Sequence, residues 1–286
     1  MSTHSERITL THPYHGDRAH RPQGSPLPPA RMPGVRAGRL LKKWRWVGVW
    51  GREMSVCAGI VYAGPVRQEL WAVWHRAKGD WIERTHFLKR VVELPKRRMI
   101  VRDDDVSMDI EIDENDGFEV VTPDGDAYTW TRKQCGIRAH GIVRIRGVEH
   151  RLDSVAFIDD NAGYHARRTR WLWSGGTGTD ALGRNVGWSV IVGLNDSPEA
   201  SENTVWINGT PQEIGAVKFA DNLSSVSFVE GGKLDFHQEV VRARRDNLIL
   251  MRSDYSQPFG TFSGTLPGGI ELREAYGVME RHDALW

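Results

Sequence analysis

Fifteen consecutive residues, Asp159 to Trp173, carry two acids, a Tyr164-His165 pair, three arginines and two tryptophans. An acid beside an imidazole is enough to move a proton. A guanidinium holds an anionic group, and indoles wall an apolar pocket. Read as an extended segment, 164–173 places His165, Arg167, Thr169, Trp171 and Trp173 on one side. Tyr164, Ala166, Arg168, Arg170 and Leu172 share the other. The first side combines rings with a few convergent polar groups, as a ligand pocket requires. Gly163 permits a bulge that turns Asp159 or Asp160 toward His165 or Arg167. The competing reading is an outer strand face on which arginine and tryptophan stack.

The end of the chain carries a second set. In 270–282 the residues Ile270, Leu272, Glu274, Tyr276, Val278, Glu280 and His282 share a side by parity. Glu280 and His282 make an acid–base pair if that side faces inward, and burial raises a glutamate's pKa. The alternative is a salt-bridged rim. The candidate catalytic residues are thus Asp159, Asp160, His165, Glu280 and His282. The candidate ligand-binding residues are Tyr164, Arg167, Arg170, Trp171, Trp173, Trp188 and Tyr276. Glu202, in a polar loop, is within reach of a pocket mouth. Gly175-Gly176-Thr177-Gly178 lacks the Gly-Lys-Ser/Thr ending of a phosphate loop and reads as a flexible loop between strands. No Cys/His spacing predicts a metal, and nothing calls for a cofactor.

These residues need strands to position them. Apolar runs at 56–63, 70–75, 80–88, 98–102, 106–112, 118–121 and 127–132 are separated by Gly, Pro, Asn and Asp turns. The same rhythm continues at 141–147, 152–158, 186–192, 204–207, 216–219, 225–229, 234–243, 247–252 and 270–282. No βαβ pattern interrupts it, so the expected fold is all-β. Twelve Trp and 30 Gly in 286 residues suit β-structure around an aromatic cavity. A net charge of +1 excludes an electrostatic case for nucleic acid. No apolar run approaches the ~20 residues of a transmembrane helix, and no apolar leader is present, which predicts a cytoplasmic protein. Cys57 and Cys135 read as buried free thiols. Six prolines before residue 38 make residues 1–38 an extended or disordered arm. The body divides into 39–150 and 151–286. No feature sets an oligomeric state.

The runs Tyr128-Thr129-Trp130-Thr131-Arg132-Lys133 and Asp160-Asn161-Ala162-Gly163-Tyr164-His165-Ala166-Arg167 resemble a bacterial domain-of-unknown-function family. So do Phe259-Gly260-Thr261-Phe262-Ser263-Gly264 and Gly277-Val278-Met279-Glu280-Arg281-His282. More distantly, Gly141 to His165 is similar to the tandem-lipocalin superfamily of carotenoid hydratases, tocopherol cyclases and Diels–Alderases. Tyr164-His165 matches its domain junction, while Ala166-Arg167-Arg168 departs from the usual Asp-His-Asn continuation. The resemblance implies two lipocalin-like β-barrels in tandem with a pocket near their interface. Three functions compete: an enzyme that hydrates, cyclises or isomerises a small hydrophobic or terpenoid-like molecule, a carrier or sensor of a hydrophobic or amphiphilic ligand, and an interaction scaffold. The enzyme needs acids and histidines that face the cavity with shifted pKa values, whereas the carrier needs the aromatic pocket but no perturbed acid. The scaffold needs an exposed aromatic patch.

Overall fold

Alternating side chains and closely spaced turns leave this chain little but antiparallel pairing, and the fold is all-β. The structure, a computed structural model, describes residues 10–248 and 251–285. Strands Arg98–Arg102, Val106–Ile112 and Thr204–Ile207 have the bounds expected from the sequence. The runs at 127–132 and 141–147 fuse into one strand, Ala127–Ile145. A bulge between Cys135 and Ile137 lets it bend, and Gly136 supplies the required φ of 72°. The strand expected at 247–252 spans the end of Lys233–Leu248 and the start of Met251–Leu266, and residues 249–250 lie outside the described residues.

The two sheets share one strand order along a nine-strand path, and the first carries two further strands, Phe118–Asp124 and Tyr14–Gly16, beside it. In the first, the strands Lys42–Trp50, Met54–Ala63, Val66–His75 and Asp80–His86 form a meander on one side. Val148–Gly163 pairs with the first of them and is followed outward by Ala127–Ile145, Val106–Ile112, Arg98–Arg102 and Val92–Glu93. In the second, Arg168–Asp180, Asn185–Val192, Thr204–Ile207 and Thr210–Glu213 form the meander. Ile270–Leu285 closes back on Arg168–Asp180. In each half the last strand therefore returns to lie beside the first.

The change from one sheet to the other falls at residues 164–167, between Val148–Gly163 and Arg168–Asp180. Residue 150, where the junction is expected, lies just past the turn of a hairpin within the first sheet. Val148 to Gly163 pairs residue by residue with Ala127–Ile145, so the chain cannot leave before that ladder ends. Gly175 and Gly176 also differ from expectation, because they lie inside the strand Arg168–Asp180. A Cβ at Gly175 would stand 2.5 Å from the Trp173 ring, and one at Gly176 would stand 2.2 Å from Trp188. The glycines make room for indoles lying along the strand.

Each sheet curls around its own apolar core. Val47, Val56, Trp71, Val101, Ile110 and Ile158 belong to the first core, and Trp188, Val190, Val205, Val226, Leu234 and Phe262 to the second. Between the sheets lies a third, aromatic cluster with Trp46, Trp50, Phe157, Trp173, Trp206 and Phe259. Both thiols, Cys57 and Cys135, are buried in it. The arm runs over the first sheet: Tyr14–Gly16 pairs with Phe118–Asp124, and Leu27 and Met32 pack beside Tyr128 and Tyr164. Residues 1–9 of the arm lie outside the described residues.

Candidate functional site

The repeated topology delivers a repeated side-chain unit to the space between the sheets. The first strand of one half reads Trp44-Arg45-Trp46-Val47-Gly48, and that of the other reads Trp171-Leu172-Trp173-Ser174-Gly175. Period-2 alternation turns both tryptophans of each run to the interface. Trp46 and Trp173 meet edge to face, 5.7 Å between ring centroids. Trp44 and Trp171 lie parallel, with 8° between planes and 6.4 Å between centroids. Each of these outer indoles donates its N–H to a carboxylate on the closing strand of its own half. Trp44 Nε1 reaches Asp159 Oδ2 at 3.1 Å, and Trp171 Nε1 reaches Glu280 Oε1 at 2.6 Å. The register is equivalent. Asp159 pairs across to Trp46 and Glu280 to Trp173, while Asn161 faces Trp44 and His282 faces Trp171.

The two units differ in the third partner. Lys133 stands opposite Asp159 on the neighbouring strand and places its Nζ 3.2 Å from Oδ1. The same ammonium lies 2.9 Å from Glu202 Oε1, and both Lys133 and Glu202 have only 2% of the side chain exposed. Burial acts to lower the Lys133 pKa, but Asp159 and Glu202 outweigh it and hold it above the usual lysine range. Burial pushes the Glu202 carboxyl up, against the pull of Lys133. In the other unit a neutral amide takes the lysine's place: Gln257 Nε2 donates to Glu280 Oε2 at 2.8 Å. Burial pushes the Glu280 carboxyl up to about 7. Hydrogen bonds from Trp171, Tyr255 and Gln257 oppose this, and the Asp159 charge adds to it. At neutral pH a substantial share of Glu280 therefore carries a proton.

A cavity of about 160 Å³ opens between these units, walled mainly by apolar surface. Trp44, Trp46, Trp171 and Trp173 line it together with Asp159 and Glu280. Tyr255 and His282 stand beside the acid, with ring centroids 5.2 Å apart. His282 packs on Trp171 at 4.3 Å, its Nε2 lies 2.8 Å from Ser253 Oγ, and burial pushes its pKa down to about 4. Arg242 is buried across the sheet interface, where its Nε lies 3.0 Å from Glu83 and its guanidinium covers the Tyr255 ring at 5.1 Å. Arg244, Asp246 and Arg252 stand further out along the same wall.

Six of the residues singled out from sequence line this cavity: Asp159, Glu202, Glu280, His282, Trp171 and Trp173. The others stand elsewhere. Asp160 points to the opposite face of its strand and pairs with Arg45 and Arg132, because neighbours on a strand alternate. His165 lies behind Trp44, stacked on it at 5.3 Å. Its Nε2 sits 2.9 Å from Asn161 Oδ1, and burial pushes its pKa down to about 3. Tyr164 is buried under the arm, where it donates to the Pro33 carbonyl. Arg167 and Arg170 are exposed, Arg170 pairing with Asp283. The expected face running from His165 through Trp173 breaks because 164–167 is the crossover and regular pairing starts at Arg168. Trp188 belongs to the second core and donates to Ser174 Oγ. Tyr276 bonds to Glu274 away from the cavity and carries Arg76 over its ring. Sequence reasoning missed Trp44, Lys133, Arg242, Tyr255 and Gln257. The Trp-x-Trp-x-Gly run at 44–48, repeated at 171–175, was the available signal for Trp44.

Residues 77–286 match the sequence pattern described as Domain of unknown function (DUF2804), well over half of the chain. No curated protein sequence matches it. Among solved structures, kievitone hydratase from Nectria haematococca is similar with a TM-score of 0.55 at 11% identity, over 84% of this chain and 88% of that one. CghA with Sch210972 matches with a TM-score of 0.41 at 11% identity, over 96% and 98% of the two chains. The likeness to the hydratase is one of fold, two lipocalin-like halves in tandem. Among the described residues no helix is long and apolar enough to cross a membrane.

Proposed function

The chain belongs to the DUF2804 family, and we propose that it binds a small hydrophobic molecule between its two sheets and transfers a proton to it from Glu280. The observation that carries this reading is a carboxylic acid held near neutrality inside an indole-walled cavity. A group with a pKa near the working pH is the most effective general acid. The reaction needs no cofactor, and acid-assisted hydration, cyclisation and isomerisation all use such a transfer. Indole faces stabilise positive charge as it develops on the substrate. Asp159 stands in the same cavity as a fixed partner for that charge or as the acceptor of a departing proton. The solved structure with a similar fold is, by its name, a kievitone hydratase.

A carrier would use the same aromatic walls and would gain nothing from burying an unbalanced carboxyl, which costs stability. The aromatic cluster lies between the sheets, where a docking scaffold would expose it. Native mass spectrometry and solvent extraction of protein purified from its own host test the reading. The extracted molecule is incubated in D₂O with wild type and with Glu280→Gln. Deuterium on carbon in the wild-type product, lost in the variant, is the expected result. An extracted molecule that returns unchanged and unlabelled from wild type makes the protein a carrier.

A further inference from the structure

The two indole–carboxylate units do more than repeat each other, because their third partners divide the labour. Asp159 accepts a hydrogen bond from Trp44 at Oδ2, and its Oδ1 is ion-paired to the Lys133 ammonium 3.2 Å away. Glu280 is surrounded by Trp171, Gln257 and Tyr255 and has no cation at hydrogen-bonding distance among the described residues. One cavity thus holds a carboxyl group beside an ammonium on one wall and a carboxyl group without a cation, next to a tyrosine, on the other, under aromatic cover. The separation is short enough for the Asp159 charge to act on Glu280. A neutral acid beside a tyrosine is suited to donate to an oxygen that becomes negative as the reaction proceeds. A carboxylate across the ring is suited to take a proton from carbon.

Resting on the reading above, we propose that the substrate is an enolisable cyclic ketone and that the cavity moves its double bond by proton transfer between Asp159 and Glu280. Asp159 removes the C–H proton between the carbonyl and a β,γ double bond. The C–H electron pair becomes a new C=C bond, and the carbonyl π pair moves to oxygen. That oxygen takes the Glu280 proton, and a dienol forms. In the second half the enol O–H returns its proton to Glu280 and the carbonyl reforms. The diene pair at the γ carbon takes the proton from Asp159. The product is the conjugated ketone, both carboxyls are restored, and no oxidant, reductant or water is consumed. Hydration needs a nucleophilic water beside the substrate, and the space argues against it. A cavity of about 150 Å³ is filled by one benzene ring, and this one measures about 160 Å³. One ring occupies it, with any further part of the molecule extending past Arg244 and Arg252.

The test uses 3-cyclohexen-1-one as the probe, with full-length protein. Ultraviolet absorbance follows the conjugated enone, and mass spectrometry in D₂O distinguishes isomerisation from addition of water. Wild type is expected to accelerate conjugation above buffer. Asp159→Asn and Glu280→Gln are each expected to slow it by about a hundredfold or more. Asp159→Glu, which keeps the base, restores part of the loss, and thermal melting separates chemistry from unfolding. If wild type neither conjugates the probe nor exchanges its α hydrogens, the proposal fails. It also fails if Asp159→Asn keeps full activity while Glu280→Gln loses it. The acid reading then stands without Asp159 as the base. If Glu280→Gln leaves all chemistry on the extracted molecule intact, the acid reading itself falls.

Discussion

The two halves of the molecule use one topology and one Trp-x-Trp-x-Gly strand, yet they treat their carboxylates differently. In the first half Lys133 sits against Asp159, and in the second Gln257 sits against Glu280. A cation beside a buried carboxyl favours its charged form, and burial without one favours its protonated form. On the proposed reading, the residue next to each carboxylate is what distinguishes a base from an acid. The apolar partners do not differ in this way. Trp46 and Trp173 pack on each other and build a common wall. The shared strand path places the two carboxylates alike, and their polar neighbours differ.

The largest way to break this comparison is Glu280→Gln, expected to lower turnover by about 10²- to 10⁴-fold while binding persists. A steady-state assay on the extracted molecule measures it. Lys133→Gln would make the first unit like the second. It leaves Asp159 and Glu202 buried without their cation, and chemical denaturation should show a loss of about 3–5 kcal/mol. The reverse exchange, Gln257→Lys, puts an ammonium beside Glu280. The upper limb of the pH–rate profile, set in wild type by loss of the Glu280 proton at about 7, should move down by about 1–3 units. An unmoved limb would show that another group sets it.

Stability should record the same difference with a definite sign. Glu280 rises from 4.5 unfolded to about 7 folded, so the native state holds the extra proton between those values. Its contribution falls as pH rises through that window and is gone above about 7. His282 and His165 run the other way. Lowered from 6.5 to about 4 and about 3, they contribute stability above 6.5 that is lost as pH falls toward their folded values. Melting of Glu280→Gln should therefore decline less than wild type between about pH 5 and pH 8. The smallest effect is expected at Arg170→Ala. Its exposed pairing with Asp283 is worth about 0–1 kcal/mol, and turnover should not change.

Much of the architecture could be read from local pattern. Period-2 alternation and turn residues fix strands wherever one face is buried, and strands such as Val106–Ile112 follow directly. Parity on the last strand also put Glu280 and His282 on one side, and the structure brings both to the cavity. Parity failed at His165, Arg167 and Tyr164 because it assumes an unbroken strand. The crossover at 164–167 breaks the strand there. No local pattern places a crossover, since it depends on where the long ladder with Ala127–Ile145 ends.

By itself, then, the sequence determined an all-β chain, its aromatic richness, and the acid and imidazole at 280 and 282. Only the tertiary structure decided that Asp159 and Glu280 share a cavity, that Asp160 does not, and that Lys133 stands beside the first and Gln257 beside the second. Those pairings join residues far apart in the chain. A carboxyl's protonation depends on what surrounds it within a few ångströms, and that is decided by how the sheets pack.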